Sequence, residues 1–275
     1  MGRELVILSP EERRDTLLHV IRRARHRLTF SLFRCDDRKV LNELAEARDR
    51  GVRVEALVTP SAKGWEKRLK DLRGVLTDLG AEVHRYDGGN AKYHAKYMVA
   101  DDSTAVVASL NFTQKCFRDT CDFLLVSHDP SLISSLRRLF KADCRAPGSP
   151  FPRNLSERLI VGPEQARRRI EALIQGAKRR IRIMDHRMAD PDMLALLRDR
   201  RKDGVNVEVL DDLEIGGLRA HGKMMLIDDN VAVLGSLSLS PPSLDNRREV
   251  AVIVRQPEVV GRLSKFFDER KGQRE

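Results

Sequence analysis

One nine-residue pattern occurs twice in this chain and constrains its fold more than any other feature. The first copy spans residues 93–101 and the second residues 220–228. The repeated polar positions are His94, Lys96 and Asp101 in the first copy, and His221, Lys223 and Asp228 in the second. Because side chains at i and i+2 of an extended strand leave on one face, each histidine is expected beside its lysine. An imidazole beside an ammonium makes a poor core but a good site for a phosphate.

The two copies stay in register further along the chain. Ser109 is matched by Ser236 and Asp122 by Glu249, each 127 positions apart, as are the two histidines (94 and 221). Chance does not maintain one separation over so many polar residue types. The chain is therefore expected to contain two structural repeats.

This doubled pattern resembles the signature of the phospholipase D superfamily, in which His-x-Lys-x4-Asp is followed by Gly-Ser-x-Asn and an acidic residue. The resemblance spans most of the chain. It implies an α/β fold of two phospholipase D-like sandwich halves, related by a pseudo-twofold axis, with both His-Lys pairs at their shared interface. Three positions depart from the signature: Ala108 replaces the first glycine, Ser238 the second asparagine and Asp122 the usual glutamate.

Helical and strand-like segments alternate in both parts of the chain, as in α/β proteins. Helices are predicted from Pro10 to Arg27 and, 153 positions later, from Pro163 to Arg179. Since the separation falls from 153 to 127, the second repeat lacks 26 residues, which the first uses for a predicted helix and strand within residues 61–86. The repeats are predicted at 1–146 and 153–275, joined by a Pro/Gly/Ser-rich linker at 147–152.

The net charge and the cysteine content indicate which kinds of binding partner and which cellular compartment fit this protein. The net charge of +10 is shared, with 27 basic and 21 acidic residues up to Arg145 and 24 and 20 beyond it. A basic surface favours an anionic partner. The four cysteines show no disulfide or metal spacing, which fits a reducing cytoplasm. Residues 1–10 contain too short an apolar run for a signal peptide, and no run of about 18 apolar residues is present. Peripheral membrane contact is left open.

The residue types fit the cleavage of a phosphodiester. A neutral imidazole can attack phosphorus and split one difficult displacement into two easier ones, while a second histidine transfers protons. Lys96 and Lys223 can neutralise the non-bridging oxygens. Asp122 and Glu249 can accept from the far ring nitrogen of a histidine and fix its tautomer. The candidate phosphate-binding residues are Ser109, Asn111, Ser236 and Ser238.

The resemblance adds roles that the residues alone leave open. It implies that His94 is the nucleophile and His221 the acid/base, although the sequence is symmetric on this point. It also implies that Asp101 and Asp228 of the motif secure the local fold. No metal and no cofactor is expected, because family members work without one. The other histidines considered, His84, His128 and His186, are not at metal-ligand spacing and receive no role.

The substrate is the least constrained part of the prediction. A phospholipid phosphodiester, hydrolysed or transferred to another alcohol, is favoured because residues 235–249 resemble bacterial phospholipases and cardiolipin synthases. A metal-independent endonuclease is the alternative, since residues 111–113 resemble nuclease-like members and a basic surface suits DNA equally well. A pseudo-enzyme that only binds phosphate groups is the non-enzyme alternative. The sequence does not indicate an oligomeric state.

Overall fold

The computed structural model describes residues 4–89, 91–145 and 150–273. Residues 1–3 of the predicted non-signal N-terminus and residues 147–149 of the predicted linker lie outside the described residues. Two stretches of regular structure flank this linker, and each contains one main β-sheet.

The elements of the first part are β1 (Glu4–Ile7), α1 (Pro10–Arg23), β2 (Arg27–Leu32), α2 (Arg38–Asp49), β3 (Arg53–Val58), α3 (Glu66–Asp78), β4 (Glu82–Arg85), β5 (Lys92–Tyr93), β6 (Tyr97–Ala100), β7 (Thr104–Ala108), α4 (Gln114–Arg118), β8 (Thr120–Cys121), β9 (Leu124–Ser127) and α5 (Pro130–Asp143).

The elements of the second part are β10 (Leu159–Val161), α6 (Ala166–Gly176), β11 (Arg180–Met184), α7 (Pro191–Lys202), β12 (Asn206–Leu210), β13 (Glu214–Ile215), β14 (Leu218–Ala220), β15 (Lys223–Ile227), β16 (Val231–Gly235), α8 (Pro241–Asp245), β17 (Arg247–Arg248), β18 (Val250–Val254) and α9 (Pro257–Gly272).

The two main sheets have the same strand order, which confirms the predicted α/β architecture of two related halves. The first runs β1-β9-β7-β6-β2-β3-β4 and the second β10-β18-β16-β15-β11-β12. In both, the pairs β2–β3 and β11–β12 are parallel and enclose a crossover helix, α2 or α7. The first sheet has one additional edge strand, β4, which together with α3 lies in the predicted 61–86 insertion.

The core is divided into three clusters. One lies under α1, α2 and α3, and another under α6 and α7. The third joins the halves, because it combines the inner faces of both sheets with α5 and α9. Val107 of β7 and Val252 of β18 both belong to this shared cluster. Burial of apolar surface between the sheets therefore holds the halves together.

The predicted helix from Pro10 to Arg27 ends earlier, at Arg23, and the reason is Asp101. Its carboxylate accepts hydrogen bonds from the backbone N–H groups of Arg25, His26 and Arg27 at 2.9–3.0 Å, which turns the chain into β2. The second repeat uses the same device. Asp228 accepts from the N–H groups of residues 178–180 at 2.7–2.9 Å, so α6 ends at Gly176 rather than at Arg179.

Four cysteines are free, as their spacing predicted: Cys35, Cys116 and Cys121 are buried and Cys144 is half-buried. No helix within the described residues is both long and apolar enough to cross a membrane.

Gly235 ends β16 next to β18, the strand that follows Glu249, and the fold requires a glycine there. Its φ is +156°, and an added Cβ would lie 2.2 Å from the carbonyl oxygen of Val250 and 2.7 Å from Cα of Ala251. We expect Gly235→Ala to lower the free energy of unfolding by about 3 kcal/mol, because only backbone could move away. Urea unfolding followed by circular dichroism measures this. Ala108 occupies the matching position in the first repeat, so Ala108→Gly is the control and should cost only about 1 kcal/mol. Equal losses would contradict the explanation.

Candidate active site

Two short parallel strand pairs connect the halves and bring the candidate residues together. In one, β5 pairs with β17 so that Tyr93 lies opposite Arg248. In the other, β14 pairs with β8 so that Ala220 lies opposite Cys121. The next residues along these pairs are His94 beside Glu249, and His221 beside Asp122. Each histidine thus meets the acidic residue of the other repeat.

The side-chain contacts follow this backbone pairing. Nδ1 of His94 lies 2.9 and 3.0 Å from the two carboxylate oxygens of Glu249. Nδ1 of His221 lies 2.9 and 3.0 Å from those of Asp122. Since a carboxylate accepts, each Nδ1 carries a proton, and each Nε2 is turned away from its carboxylate. That Asp122 and Glu249 orient histidines stays a prediction, and the structure adds that each carboxylate contacts the histidine of the other repeat.

The strand expected to carry His94 and Lys96 is wrong in detail. β6 begins only at Tyr97, because His94 donates its N–H to the carbonyl of Arg248 at 2.9 Å and so follows the small inter-repeat sheet. The lysine nevertheless reaches its histidine: Nζ of Lys96 donates to the carbonyl oxygen of His94 at 2.6 Å and lies 3.2 Å from its Nδ1. Nζ of Lys223 donates likewise to the carbonyl of His221. Both lysines are buried.

Burial and charge set the protonation states of this cluster. Burial lowers the pKa of His94 to about 3; Glu249 opposes this shift and Lys96 adds to it. Burial lowers the pKa of His221 as well, against the attraction of Asp122. Burial alone would raise the pKa of both carboxyl groups, but the histidines and lysines lower it to about 2 for Asp122 and Glu249. At neutral pH both carboxylates are ionised and His94 has the neutral form that a nucleophile needs.

The motif aspartates lie away from this chemistry. Asp101 and Asp228 follow the far ends of β6 and β15, where φ is +52° and +51°. Backbone N–H donors lower the pKa of both carboxyl groups, although their partial burial acts in the opposite direction. This geometry supports the fold-securing role that the resemblance implied.

The four candidate phosphate-binding residues have different surroundings. Ser109 donates to Asp122 at 2.6 Å, and its oxygen accepts from the N–H of Phe123 at 2.8 Å. Ser236 bonds to both backbone groups of Val250. Ser238 donates to Asp185 at 2.8 Å. Asn111 differs, because its Oδ1 is buried and has no hydrogen-bond partner in the described part of the chain. Three of these side chains thus brace the site, and Asn111 retains an unused acceptor.

The sequence analysis gave no role to several residues that lie at the site. The ring of Phe33 stands 4.5 Å from that of His94, and the ring of His186 stands 6.5 Å from that of His221, centroid to centroid. Ser243 donates to Glu249 at 3.0 Å, which steadies one of the carboxylates. The separation of 153 between residues 33 and 186 could have identified them as matched positions of the two repeats. A phenylalanine and a histidine, however, do not look like one repeated position.

Within the described residues, two groups of side chains place possible metal-ligand atoms close to one another. One is Cys116, Asp122 and His221, and the other is Glu55, Glu82 and His84. In the first, burial raises the pKa of the Cys116 thiol, which disfavours the thiolate that a metal requires. In the second, Arg53 already forms ion pairs with both glutamates, at 3.2 and 2.6 Å. Neither group fits a metal well, and the carboxylate of the first already holds His221.

Comparison with known proteins identifies a family whose model matches this sequence. The family described as cardiolipin synthase, PLD-like domain, matches residues 17–144 and 213–271. No curated protein matches the chain. Among solved structures, the chain is similar to polyphosphate kinase from Porphyromonas gingivalis, with a TM-score of 0.77, 16% identity, and coverage of 97% of this chain and 46% of that one. It thus spans about half of the kinase.

A second similar structure is phosphatidylserine synthase from Haemophilus influenzae Rd KW20. The TM-score is 0.75 at 12% identity, and the match covers 98% of this chain and 85% of that one. At such identities the structural likeness establishes the fold, including its two halves. Because the family match itself extends over more than half of the sequence and includes both histidine motifs, the chain belongs to the phospholipase D superfamily, within the family described as cardiolipin synthase, PLD-like domain.

Proposed function

We propose that this protein cleaves or transfers a phospholipid phosphodiester through a covalent phosphohistidine. Membership of the superfamily supports a phosphodiester-related function in general. The observation that carries the finer proposal is the pair of histidines, each with Nδ1 on a carboxylate from the other repeat and with a buried lysine beside it. This arrangement leaves two Nε2 atoms for chemistry, with two ammonium groups to neutralise charge.

In the first half-reaction, Nε2 of His94 attacks phosphorus and forms a P–N bond. The P–O bond to the leaving alcohol breaks, and His221, which enters this step as the imidazolium, transfers its Nε2 proton to the departing oxygen. Phosphorylated His94 carries a positive charge while its Nδ1 proton stays in place, and Glu249 stabilises this charge. Lys96 and Lys223 neutralise the non-bridging oxygens.

In the second half-reaction, Nε2 of His221 removes a proton from water or from an acceptor alcohol. The resulting oxygen nucleophile attacks phosphorus, the P–N bond breaks, and His94 returns to its neutral form. Hydrolysis and head-group transfer differ only in this incoming oxygen. The proposal assigns the same residues to both.

A nuclease is the second candidate, and one observation favours it. Among the described residues, the large apolar side chains classed as exposed are Leu5, Val75 and Leu213. Binding to a bilayer interface depends on the apolar area that is inserted, and these three residues provide only a small area. DNA binding would rely instead on the positive net charge.

Purified protein should be assayed against phosphatidylcholine vesicles, phosphatidylglycerol vesicles and plasmid DNA, each with EDTA. We expect release or exchange of the lipid head group that persists at moderately high salt, and only weak nicking of DNA. DNA binding through many phosphates weakens steeply with salt, whereas a single head group engages few charges. Rapid DNA degradation with untouched lipids would replace the phospholipid proposal by the nuclease. Loss of all activity with EDTA would contradict the metal-free reaction.

A further inference from the structure

The loops that follow β2 and β11 carry matched residues beside the two histidines. Phe33 and Arg34 in the first repeat correspond to His186 and Arg187 in the second, 153 positions later. In each repeat the first residue of the pair places a ring next to the motif histidine. An arginine therefore follows directly on the ring that flanks each reacting group.

Arg34 is held in place by aromatic rings. Its guanidinium lies 5.0 Å from the ring centre of Phe33 and 5.3 Å from that of Trp65, and it donates to the carbonyl of Lys63 at 3.0 Å. Trp65 comes from the insertion that the second repeat lacks, and Arg68 stacks on it at 5.1 Å. The side chain of Arg34 is half-buried, and its Nε has no hydrogen-bond partner within the described residues. A cation fixed by two rings is preorganised to bind an anion.

Arg187 occupies the corresponding place in the second repeat but is exposed. Its Nε donates to Nε2 of His186 at 3.2 Å, which holds the side chain against the ring that lies beside His221. Among residues 4–89, 91–145 and 150–273, neither Arg34 nor Arg187 forms an ion pair, whereas Arg167 and Arg248 each bind several carboxylates.

The charges of the two arginines influence each other and the lysine of the site. The pKa of Arg34 is lowered mainly by burial, and the charge of Arg187 contributes to the shift. Arg187 also contributes to the lowered pKa of Lys223, whose main cause is again burial. Two cations without carboxylate partners, beside a site for one phosphate, leave positive charge that a single phosphodiester does not neutralise.

We propose that Arg34 and Arg187 form a second anion subsite, which binds a further phosphate of the substrate next to the scissile phosphodiester. The subsite rests on the proposed phosphodiester chemistry and specifies its substrate class: a phosphodiester that carries at least one additional phosphate. Guanidinium groups suit this task because they bind phosphate oxygens in pairs. A phospholipid with two phosphates and a nucleic-acid strand share this chemistry.

The test compares two soluble substrates that differ by one phosphate. Thymidine 5′-(p-nitrophenyl phosphate) has only the diester, and its 3′-phosphorylated form adds a second phosphate. We expect kcat/KM to be about tenfold higher for the second substrate, as one charge-assisted contact supplies. Arg187→Gln should reduce this ratio to near one, and Arg34→Gln should do the same. The exposed Arg262→Gln on α9 is the charge-matched control and should keep the ratio.

A purely structural role of Arg34 would lower the melting temperature of its variant without changing the ratio. Arg187 is exposed, so its variant tests the subsite without a folding defect. An unchanged ratio in Arg187→Gln would overturn the proposal.

Binding separates this inference from the proposed function. Titration calorimetry with thymidine 3′,5′-bisphosphate and thymidine 5′-monophosphate measures the subsite even if neither diester is hydrolysed. The wild type should bind the bisphosphate about tenfold more tightly, and Arg187→Gln should lose this advantage. Equal affinities would contradict the subsite. Absent turnover with retained preference would contradict only the proposed function. Cardiolipin against phosphatidylglycerol in mixed micelles, and an oligonucleotide against a dinucleotide, then identify the source of the second phosphate.

Discussion

Replacement of His94 by alanine is expected to lower kcat for phosphodiester cleavage by at least about 10⁴-fold, because the proposed mechanism assigns the covalent bond to phosphorus to this residue. Nε2 of His94 is the nitrogen turned away from Glu249, and the lowered pKa of this imidazole keeps it unprotonated at neutral pH. The rate is measured with bis(p-nitrophenyl) phosphate. The matched control is His19→Ala, since His19 is exposed on α1.

His221→Ala should behave differently from His94→Ala. p-Nitrophenolate leaves without a proton, so the variant should still form the covalent intermediate and release one equivalent of p-nitrophenol. Without the base, water attacks slowly, and the phosphoenzyme should accumulate. Intact-mass spectrometry and peptide mapping would locate the added phosphoryl group. A label on His94 supports the assigned roles; a label on another residue, or none in either variant, would contradict them.

The repeat architecture could be predicted because its signal is carried by separations along the chain. The change from 153 to 127 located the insertion that forms α3 and β4, and the common separations of the motif residues implied two equivalent halves. These separations stay the same even where the two repeats have different residues at matched positions. They made two equivalent α/β halves an expectation, whereas the strand order of the sheets came only from the structure.

The exchange of acidic residues between repeats could not be predicted in this way. The separation of 127 is the same whether Glu249 serves His221 of its own repeat or His94 of the other. Only the parallel pairing of β5 with β17 and of β8 with β14 decides it. These strands are two residues long, too short for any periodic pattern. The partner of each histidine is thus a consequence of how the halves dock.

The structural role of the motif aspartates could not be predicted from spacing either, because it depends on the backbone conformation. Asp101 and Asp228 share the signature with the histidines, so spacing alone groups them with the chemistry. Their positive φ and their three backbone donors each show a turn that ends a helix and starts a strand. A signature can therefore join residues that act on the substrate with residues that only shape the loop behind them.

Lys96 is a residue whose proposed catalytic role requires a buried charge that destabilises the folded protein. The side chain is 1% exposed, and its pKa is lowered to about 7, chiefly by burial; Lys223 adds to this effect and Glu249 opposes it. The ordinary value is 10.5. Because the folded-state pKa is below that of the unfolded chain, the proton is bound more weakly in the folded protein. This destabilises the fold fully below pH 7, and the penalty disappears as the pH rises from about 7 toward 10.5. Its upper limit is on the order of 5 kcal/mol.

Lys96→Met should therefore make the protein more stable and nearly inactive. Methionine fills a similar volume and removes the buried charge, together with the cation–π contact of Nζ with Phe33, whose ring centre lies 5.1 Å away. Since Glu249 loses a favourable neighbour, we expect a net gain of about 1–3 kcal/mol in the free energy of unfolding at pH 6. The rate should fall by about 10³-fold, as for loss of one group that neutralises the transition state.

Urea unfolding at pH 6 and pH 9 tests the sign of this linkage. The gain from Lys96→Met should be largest at pH 6, where the wild-type ammonium is charged at a penalty. At pH 9 the wild-type lysine is largely neutral in the folded state, so the gain should shrink. Lys223→Met is the matched variant, because burial also lowers the pKa of Lys223. A less stable Lys96→Met at pH 6 would show that its neighbours stabilise the ammonium more than burial penalises it. A gain that does not change with pH would show that the buried charge is not its cause.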